Sequence, residues 1–226
     1  MSKLTFDNSP NSSAIGTVTL PITGSDLAAG IDWGDGENNT NLSHYYSGAG
    51  PYTAVITVTS GTVTQFGNGS GATWSGSSKL TEVATTDTST WGLLGISSFV
   101  GAFSECTTLT VVPIQIPVTV NDMSYMFRGA SAFNQDISVW NISSVETMES
   151  MFAGATNFVQ NIRVWNISSV TANGLDNMFD SNSTAMNNAY TGTTGYGPPM
   201  TTNFFESSEE GGSGGPVEEG GSGGPV

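Results

Sequence analysis

A short hydrophobic signature returns at a nearly constant interval in the second half of the chain, and it constrains the fold more than any other feature. Its four copies are residues 99–103, 123–127, 148–152 and 175–179, and each ends in phenylalanine. A second string, residues 137–145, returns almost unchanged as residues 162–170. A fixed period of about 20 to 50 residues is typical of a solenoid, whose coils bury their apolar faces only against one another.

The spacing inside each signature predicts a short helical turn, because apolar residues at i, i+3 and i+4 share one helix face. Phe133 and Phe158, six residues beyond a signature phenylalanine, are expected to close the far side of their coils. For Trp140 and Trp165 two interpretations stay open, a buried core position and a sugar-binding platform on the coil edge. The expected repeat core consists of Phe103, Met123, Met126, Phe127, Trp140, Met148, Met151, Phe152, Trp165, Leu175, Met178 and Phe179.

The first sixty residues have the short alternating strings of β-strands. One strand leads into the turn Trp33-Gly34-Asp35-Gly36, and a His44-x-Tyr46 string and an alternating strand over residues 52–58 follow. Together these strings resemble a polycystic-kidney-disease (PKD) domain. The resemblance implies a small immunoglobulin-like β-sandwich, used as an extracellular spacer or adhesion module, here in a reduced form.

The repeats carry a more specific resemblance. The strings MFRGASAFNQDISVWNISSVETMESMF and MFAGATNFVQNIRVWNISSVTANGLDNMF are similar to the bacterial surface protein repeat of about 25 residues, a BspA-like branch of the leucine-rich repeats. That family implies exposed, repetitive, non-enzymatic surface architecture on bacteria and in proteins of their viruses. It implies no particular ligand.

The expected fold is therefore mainly β and divides into four parts. Residues 1–62 form the PKD-like β-sandwich, and residues 63–185 form a leucine-rich-repeat-type solenoid of about five coils with short helical turns. Residues around Trp74 are expected to form a divergent first coil, because the Trp74-to-Leu80 spacing matches that of Phe103 to Leu109 although the rest of the signature is missing. Residues 186–205 cap the last coil, and residues 206–226 form a flexible, acidic Gly/Glu-rich tail.

Charge and hydropathy exclude several partners. The chain carries 19 acidic and 4 basic residues, a net charge of -15, which repels nucleic acid and anionic lipid. No run reaches the roughly 18 apolar residues that cross a bilayer, so membrane insertion is not expected. No secretory signal is evident at the start, and the initial Met1-Ser2-Lys3 predicts a complete gene product.

Candidates for binding chemistry are few. Asp32, Asp35 and Glu37 place three carboxylates in one turn and are weak candidates for calcium ligands. Asp and Gly are also ordinary turn formers, and a structural turn is the favoured interpretation. No other metal or cofactor is expected. His44 is the single histidine and is expected to pack or to form hydrogen bonds. Cys106, the single cysteine, is expected to be a small buried residue.

No catalytic constellation stands out. Glu146 with Glu149, or Asp122 with Asp136, offer paired carboxylates, but nothing in the sequence distinguishes an acid from a base or predicts a cleft. A nucleophile elbow is absent. We therefore expect a protein without enzymatic activity.

Two functions fit these features. The first is a structural protein on the surface of a virion, most simply a bacteriophage capsid decoration, fibre or tail-associated protein. It needs no export signal, and its tail could bind a neighbouring subunit. The alternative is an extracellular or bacterial cell-surface adhesion module that binds a host protein or glycan. The expected partners are other particle subunits or a cell-surface protein or glycan, with homo-oligomers also allowed.

Overall fold

The computed structural model describes residues 1–6, 15–48, 50–69, 72–85, 91–93, 95–190 and 204–205. Over these residues the protein is mainly β. The strands are β1 (Ser2–Phe6), β2 (Gly16–Thr19), β3 (Ile22–Asp32), β4 (Asn38–Asn39), β5 (Ser43–Tyr46), β6 (Tyr52–Phe66) and β7 (Leu80–Thr85). A 3₁₀ turn (Ser77–Lys79) precedes β7, and a short helix α1 (Thr184–Tyr190) follows the repeats.

Five strands form one antiparallel sheet in the order β4-β3-β6-β1-β7. Its alternation follows the sequence: Ser2, Leu4 and Phe6 of β1 are buried, and the intervening residues are more exposed. A period of two places every second side chain on the same face of a strand. The apolar residues of β1 and β6 therefore point to one core.

The remaining two strands, β2 and β5, pair with each other and cover that core. Tyr46 of β5 lies at its centre, with ring centroids 6.5 Å from Phe6 and 6.3 Å from Trp33. The hydroxyl of Tyr46 donates to the backbone oxygen of Trp33 at 2.8 Å. That bond satisfies a polar group that would be costly to bury without a partner.

The sheet continues without a break into the repeats. At the end of β6 the amide of Phe66 donates to the backbone oxygen of Ser98 at 3.0 Å. On the other side, β7 pairs with β1, and its Val83 amide donates to the oxygen of Val111 at 2.9 Å. Hydrogen-bonded pairing thus crosses residue 62, the expected boundary, although the four-part division itself stays a prediction.

The repeats are stacked coils joined by a ladder of alternate backbone amides. In the coil of residues 123–130, every second amide donates to a backbone oxygen of the next coil at 2.8–3.0 Å. The coils before and after it repeat the arrangement. The donor–acceptor pairs are Phe99–Asp122, Gly101–Ser124, Phe103–Met126, Glu105–Arg128, Met123–Thr147, Tyr125–Glu149, Phe127–Met151, Gly129–Ala153, Met148–Gly174, Ser150–Asp176 and Phe152–Met178.

The prediction of short helical turns in the signatures is wrong. Within the described ranges the only α-helix is α1, and the signatures are successive hydrogen-bonded turns. The intervening amides donate locally, as Met126 does to Met123 and Met151 to Met148. Left-handed residues such as Tyr125 (φ 59°) break the helical progression. The i, i+3, i+4 pattern was correct about the shared face, because consecutive turns also bring those residues together.

Aromatic rings fill the interior of the stack. Phe127 and Phe152 lie 5.6 Å apart with ring planes inclined by 5°, and Phe152 and Phe179 lie 5.4 Å apart at 7°. Phe133 and Phe158 pack against this column from the far side, 4.1 Å from Phe127 and 4.0 Å from Phe152 respectively. The column therefore couples each coil to both neighbours.

The column ends at Phe204, which is fully buried. Its ring lies 5.9 Å from that of Phe179 at 67°, an edge-on contact instead of the parallel stacking inside the array. Tyr190 of α1 contacts Phe204 from another side at 5.6 Å. Tyr190 and Phe204 thus cover the end of the aromatic column, while the cap over residues 186–205 stays a prediction. The expected tail, residues 206–226, lies outside the described residues.

Candidate interaction surface

The expected repeat core is almost entirely buried. Of its twelve members, eleven have 4% or less of their surface exposed, and Leu175 is the exception, being only partly buried. It belongs to the last signature, where no further coil of the described chain covers it. The buried residues are Phe103, Met123, Met126, Phe127, Trp140, Met148, Met151, Phe152, Trp165, Met178 and Phe179.

The two tryptophans lie inside the coils. The indole Nε1 of Trp140 donates to the backbone oxygen of Pro113 at 3.1 Å, and that of Trp165 donates to Ile137 at 3.2 Å. Buried indoles need such an acceptor. The geometry leaves neither ring face available as a platform for a sugar.

The acidic turn after β3 uses its carboxylates for backbone hydrogen bonds. Asp32 Oδ1 accepts the amide of Gly34 at 3.0 Å, and Asp35 Oδ1 accepts that of Glu37 at 3.1 Å. Across the ranges that the structure describes, no group of three or more potential ligand residues is placed to hold a metal ion. The turn-forming interpretation of these residues therefore accounts for their contacts, and a calcium role stays a hypothesis without support.

His44 closes this turn. Its Nε2 lies 2.7 Å from Asp35 Oδ2, and its ring stacks on Trp33 with centroids 5.0 Å apart. Partial desolvation raises the pKa of Asp35, but the hydrogen bond from His44 and a backbone amide outweigh it, so that this pKa lies below its usual value. The histidine packs and forms a hydrogen bond, as expected from its isolation in the sequence.

The remaining candidates also have structural partners. Cys106 is fully buried, and desolvation raises the pKa of its thiol, so it is a small core residue. Glu149 accepts the Tyr125 hydroxyl at 2.6 Å, and this hydrogen bond is the main cause of a raised Tyr125 pKa. Asp122 and Asp136 each accept an amide two residues further on. Their contacts are those of turn formation.

A polar groove of about 390 Å³ crosses the outer surface of four successive coils. Gly129 and Gly154, each two residues after a signature phenylalanine, form part of its lining without side chains. Both have left-handed backbone conformations, with φ of 68° and 74°. The other lining residues are Glu105, Thr107, Arg128, Ser131, Ala153, Asp180 and Asn182.

Charged residues stand at both ends of this groove. At one end, Arg128 Nη1 lies 3.6 Å from Glu105 Oε1. At the other, Asp180 Oδ1 accepts the amide of Gly154 at 2.9 Å, in place of a backbone oxygen in the ladder. Partial burial raises the pKa of Asp180, but hydrogen bonds from Gly154, Ser183 and Asn182 outweigh that effect and lower it. The groove is thus fixed by backbone geometry and presents both donors and acceptors.

Sequence reasoning missed the groove. The signal was the residue two places after each signature phenylalanine, which is glycine in the two middle coils. Sequence also failed to predict that Ile114, Val139 and Val164, one residue on each of three successive coils, would be 61–69% exposed. Val139 and Val164 directly precede the buried tryptophans Trp140 and Trp165, so at these two positions the chain alternates between an outward and an inward side chain.

An antiparallel sheet continues into a stack of repeats, whose apolar residues lie inside and whose polar residues line an outer groove, and this arrangement defines a mainly β repeat protein. The chain belongs to the family described as Mycoplasma protein of unknown function, DUF285, whose model matches residues 77–194, more than half of the chain. The match contains all four signatures and agrees with the resemblance to a bacterial surface repeat protein. It does not reach the region that resembles a PKD domain.

No curated protein and no solved structure gives a significant match to the chain. None of the helices in the described ranges is long and apolar enough to cross a membrane.

Proposed function

We propose that this chain is a non-enzymatic adhesion protein of a bacterial cell surface, which binds a host protein or glycan through the polar groove of its coil stack. In this proposal the stack is a short solenoid of the leucine-rich-repeat type. The sheet that precedes it is a reduced PKD-like β-sandwich that acts as a rigid base.

The groove is the observation that carries the proposal. The apolar residues of the signatures are buried between the coils, so a ligand can contact only the outer surface. On that surface the groove joins side chains from four coils, including the Glu105–Arg128 pair and Asn182. Neighbouring donors and acceptors on a rigid backbone suit a partner rich in hydroxyl or amide groups. The family match supports a surface protein.

The virion function receives no support from the comparisons, and the family match favours the bacterial surface instead. The two are separable by location. Cells that produce the protein would be fractionated, and antibody-labelled samples would be imaged by electron microscopy. The proposal predicts label on the cell envelope, whereas label at symmetry-related positions on particles would contradict it.

Adhesion itself is tested by competition. The purified full chain is added to cells that produce the protein, on surfaces coated with host matrix proteins or with glycans. The proposal predicts that the soluble chain reduces attachment in a saturable manner on at least one coating. Attachment that is unchanged by the chain on every coating, or equal attachment by cells lacking the protein, contradicts it.

A further inference from the structure

The backbone hydrogen bonds that the signature amides form between coils run in one direction, from the amides of one coil to the oxygens of the next. Within the described residues, the alternate amides of the last coil therefore have no following coil to accept them. In each coil the alternate amides of the signature donate to the coil that follows. In the last coil the equivalent amides belong to Leu175, Asn177, Phe179 and Ser181. None of these four donates a hydrogen bond to any residue that the structure describes.

The open rung keeps the geometry of the closed ones. Asn177 has φ of 52°, like Ser150 at the equivalent place one coil earlier (φ 53°). The amide of Met178 donates to Leu175 at 3.0 Å, as that of Met151 donates to Met148 at 3.1 Å. The local turn is therefore the one whose alternate amides point along the stack. An unpaired row of backbone donors is the pattern to which an added strand binds.

Neither end of the stack in a second copy supplies a free row of acceptors for these amides. Two such ends facing each other would present donors to donors. The opposite end of the stack has no free row of acceptors either, because the oxygens of Ser98 and Val100 already accept the amides of Phe66 and Gly69. The indole of Trp74 occupies the oxygen of Ala102 in the same way. Head-to-tail stacking of two copies would require these hydrogen bonds to break.

The side chains at this end restrict the occupant further. Phe204 covers the ring of Phe179 edge-on and so closes the aromatic column to another complete coil. Asn177 and Ser181, by contrast, are exposed, and Leu175 is partly exposed. What fits is a main chain without a bulky inward side chain.

We propose that the last coil binds an extended peptide segment of another protein, whose alternate backbone oxygens accept the amides of Leu175, Asn177 and Ser181. This site lies at the end of the stack, beside the end of the groove that Asp180 and Asn182 line, and the proposal does not rest on adhesion through the groove. The recognition is of backbone, so the partner needs an extended segment with unpaired oxygens and small residues facing Phe204. Asp180 shows how the ladder also accepts a carboxylate oxygen, which would serve at the outermost position.

The test uses the full chain and a synthetic peptide based on residues 171–183, the segment that supplies the acceptors to the preceding coil. In this peptide alanine replaces Leu175, Met178 and Phe179, because Phe204 leaves no room for bulky inward side chains. Hydrogen exchange is followed amide by amide by NMR. In the chain alone, the amides of Leu175, Asn177 and Ser181 should exchange quickly, while those of Met148 and Ser150 are protected. Saturating peptide should slow exchange at the amides of Leu175, Asn177 and Ser181 by at least about tenfold, with no change inside the stack.

A pair of variants checks that the backbone donor matters. Ser181→Pro removes one donor, and Ser181→Ala keeps it. Peptide affinity should fall by about three- to tenfold in the first and stay within about twofold in the second.

Three results would overturn the proposal. One is a lack of peptide binding. Another is protection of the open amides in the chain alone at every concentration, which would assign the row to the chain itself. The third is protection that grows with chain concentration, which would assign it to a second copy.

Discussion

Phe152 is the residue whose contacts best express how the coils are held together. It is fully buried, stacks on Phe127 and Phe179, and contacts Phe158 at 4.0 Å. Removing its ring would leave a cavity bordered by three coils, and the cost of such a cavity adds to the lost burial.

Phe152→Ala should therefore lower the free energy of unfolding by about 3–5 kcal/mol. Chemical denaturation with both fluorescence and circular dichroism measures this change. The matched control is Val164→Ala, since Val164 is 69% exposed and its truncation should change stability by less than about 0.5 kcal/mol. A loss below about 1 kcal/mol for Phe152→Ala would show that the ring is not stacked inside.

Trp140 offers a second test at the residue scale, because the sequence left its position open. Trp140→Phe keeps an aromatic ring but removes the indole donor to Pro113. The buried oxygen then lacks a partner, and stability should fall by about 1–3 kcal/mol. Thermal unfolding of the variant measures the loss. A melting temperature equal to that of the parent would contradict the buried position of Trp140.

Sequence was most informative at this scale, and the reason is physical. Residues that stack on equivalents in neighbouring coils must recur at the coil period, so Phe127 and Met151 could be assigned to the core from spacing alone. Leu175 could not, because its exposure depends on having no following coil. Likewise, Val139 and Trp140 are both apolar neighbours, and only the backbone direction decides which one faces inward.

At the scale of elements, the junction between sheet and coils depends on Gly67. It has φ of 135°, and its amide donates to the oxygen of Pro21. A side chain here would place its Cβ 2.1 Å from the backbone oxygen of Val100. That approach is closer than any non-bonded contact allows, so the turn at Gly67 and the coil of residues 99–103 would have to separate.

Gly67→Ala should cost about 2–4 kcal/mol of unfolding free energy, combining backbone strain and lost contacts. Gly30→Ala is the control, since Gly30 lies in β3 with open space where a Cβ would be. Its effect should stay within about 1 kcal/mol. Equal losses in urea denaturation of the two variants would mean that the chain after β6 does not pass so close to the coil of residues 99–103.

At the other end of the stack, Asp180 accepts the amide of Gly154 in the preceding coil, and its ionisation links that contact to pH. Its pKa is lowered in the folded protein, so its stabilising contribution is complete above the pKa of the unfolded chain. The contribution is lost as pH falls through the lower, folded value. Acid should therefore weaken the last coil below about pH 4.

Asp180→Asn isolates this contribution. The amide oxygen is a weaker acceptor, so at pH 7 the variant should be less stable than the parent by about 1–3 kcal/mol. Measured from pH 6 to pH 2.5, the difference between the two proteins should shrink, because the parent alone loses the ionised Asp180. A difference that is constant over this range would contradict the assigned hydrogen bonds.

The elements were harder to predict than the residues. A local spacing of i, i+3, i+4 does not distinguish a helical turn from consecutive turns, since both place those residues on one face. The distinction lies in where the amides of Tyr125 and Gly129 donate, and that acceptor is 24 residues away. Similarly, the continuity of β7 with residues 110–111 is a long-range pairing, and the 29-residue offset of Leu80 and Leu109 was its only trace in the sequence.

At the scale of the whole molecule, the sheet, the coils and the cap form one continuous hydrogen-bonded and packed structure. The apolar residues that recur at the coil period fill its interior. Binding functions therefore belong to the outer surface and the ends of the stack. The groove lies on that surface and carries the proposed adhesion. The open row of amides lies at the end and carries the proposed peptide site. The groove was not predictable from sequence, because it joins side chains such as Thr107 and Asn182 from different coils.

The most direct test of this account compares two arginine substitutions in the competition assay for adhesion. Thr107→Arg places a long side chain at the groove, and Ser144→Arg adds the same charge to an exposed position outside it. Both positions are exposed, so melting temperatures should match that of the parent. The account predicts that Thr107→Arg loses at least about tenfold in competing strength while Ser144→Arg stays within about twofold, since only the first obstructs the groove. Equal competition by both variants and the parent would contradict it.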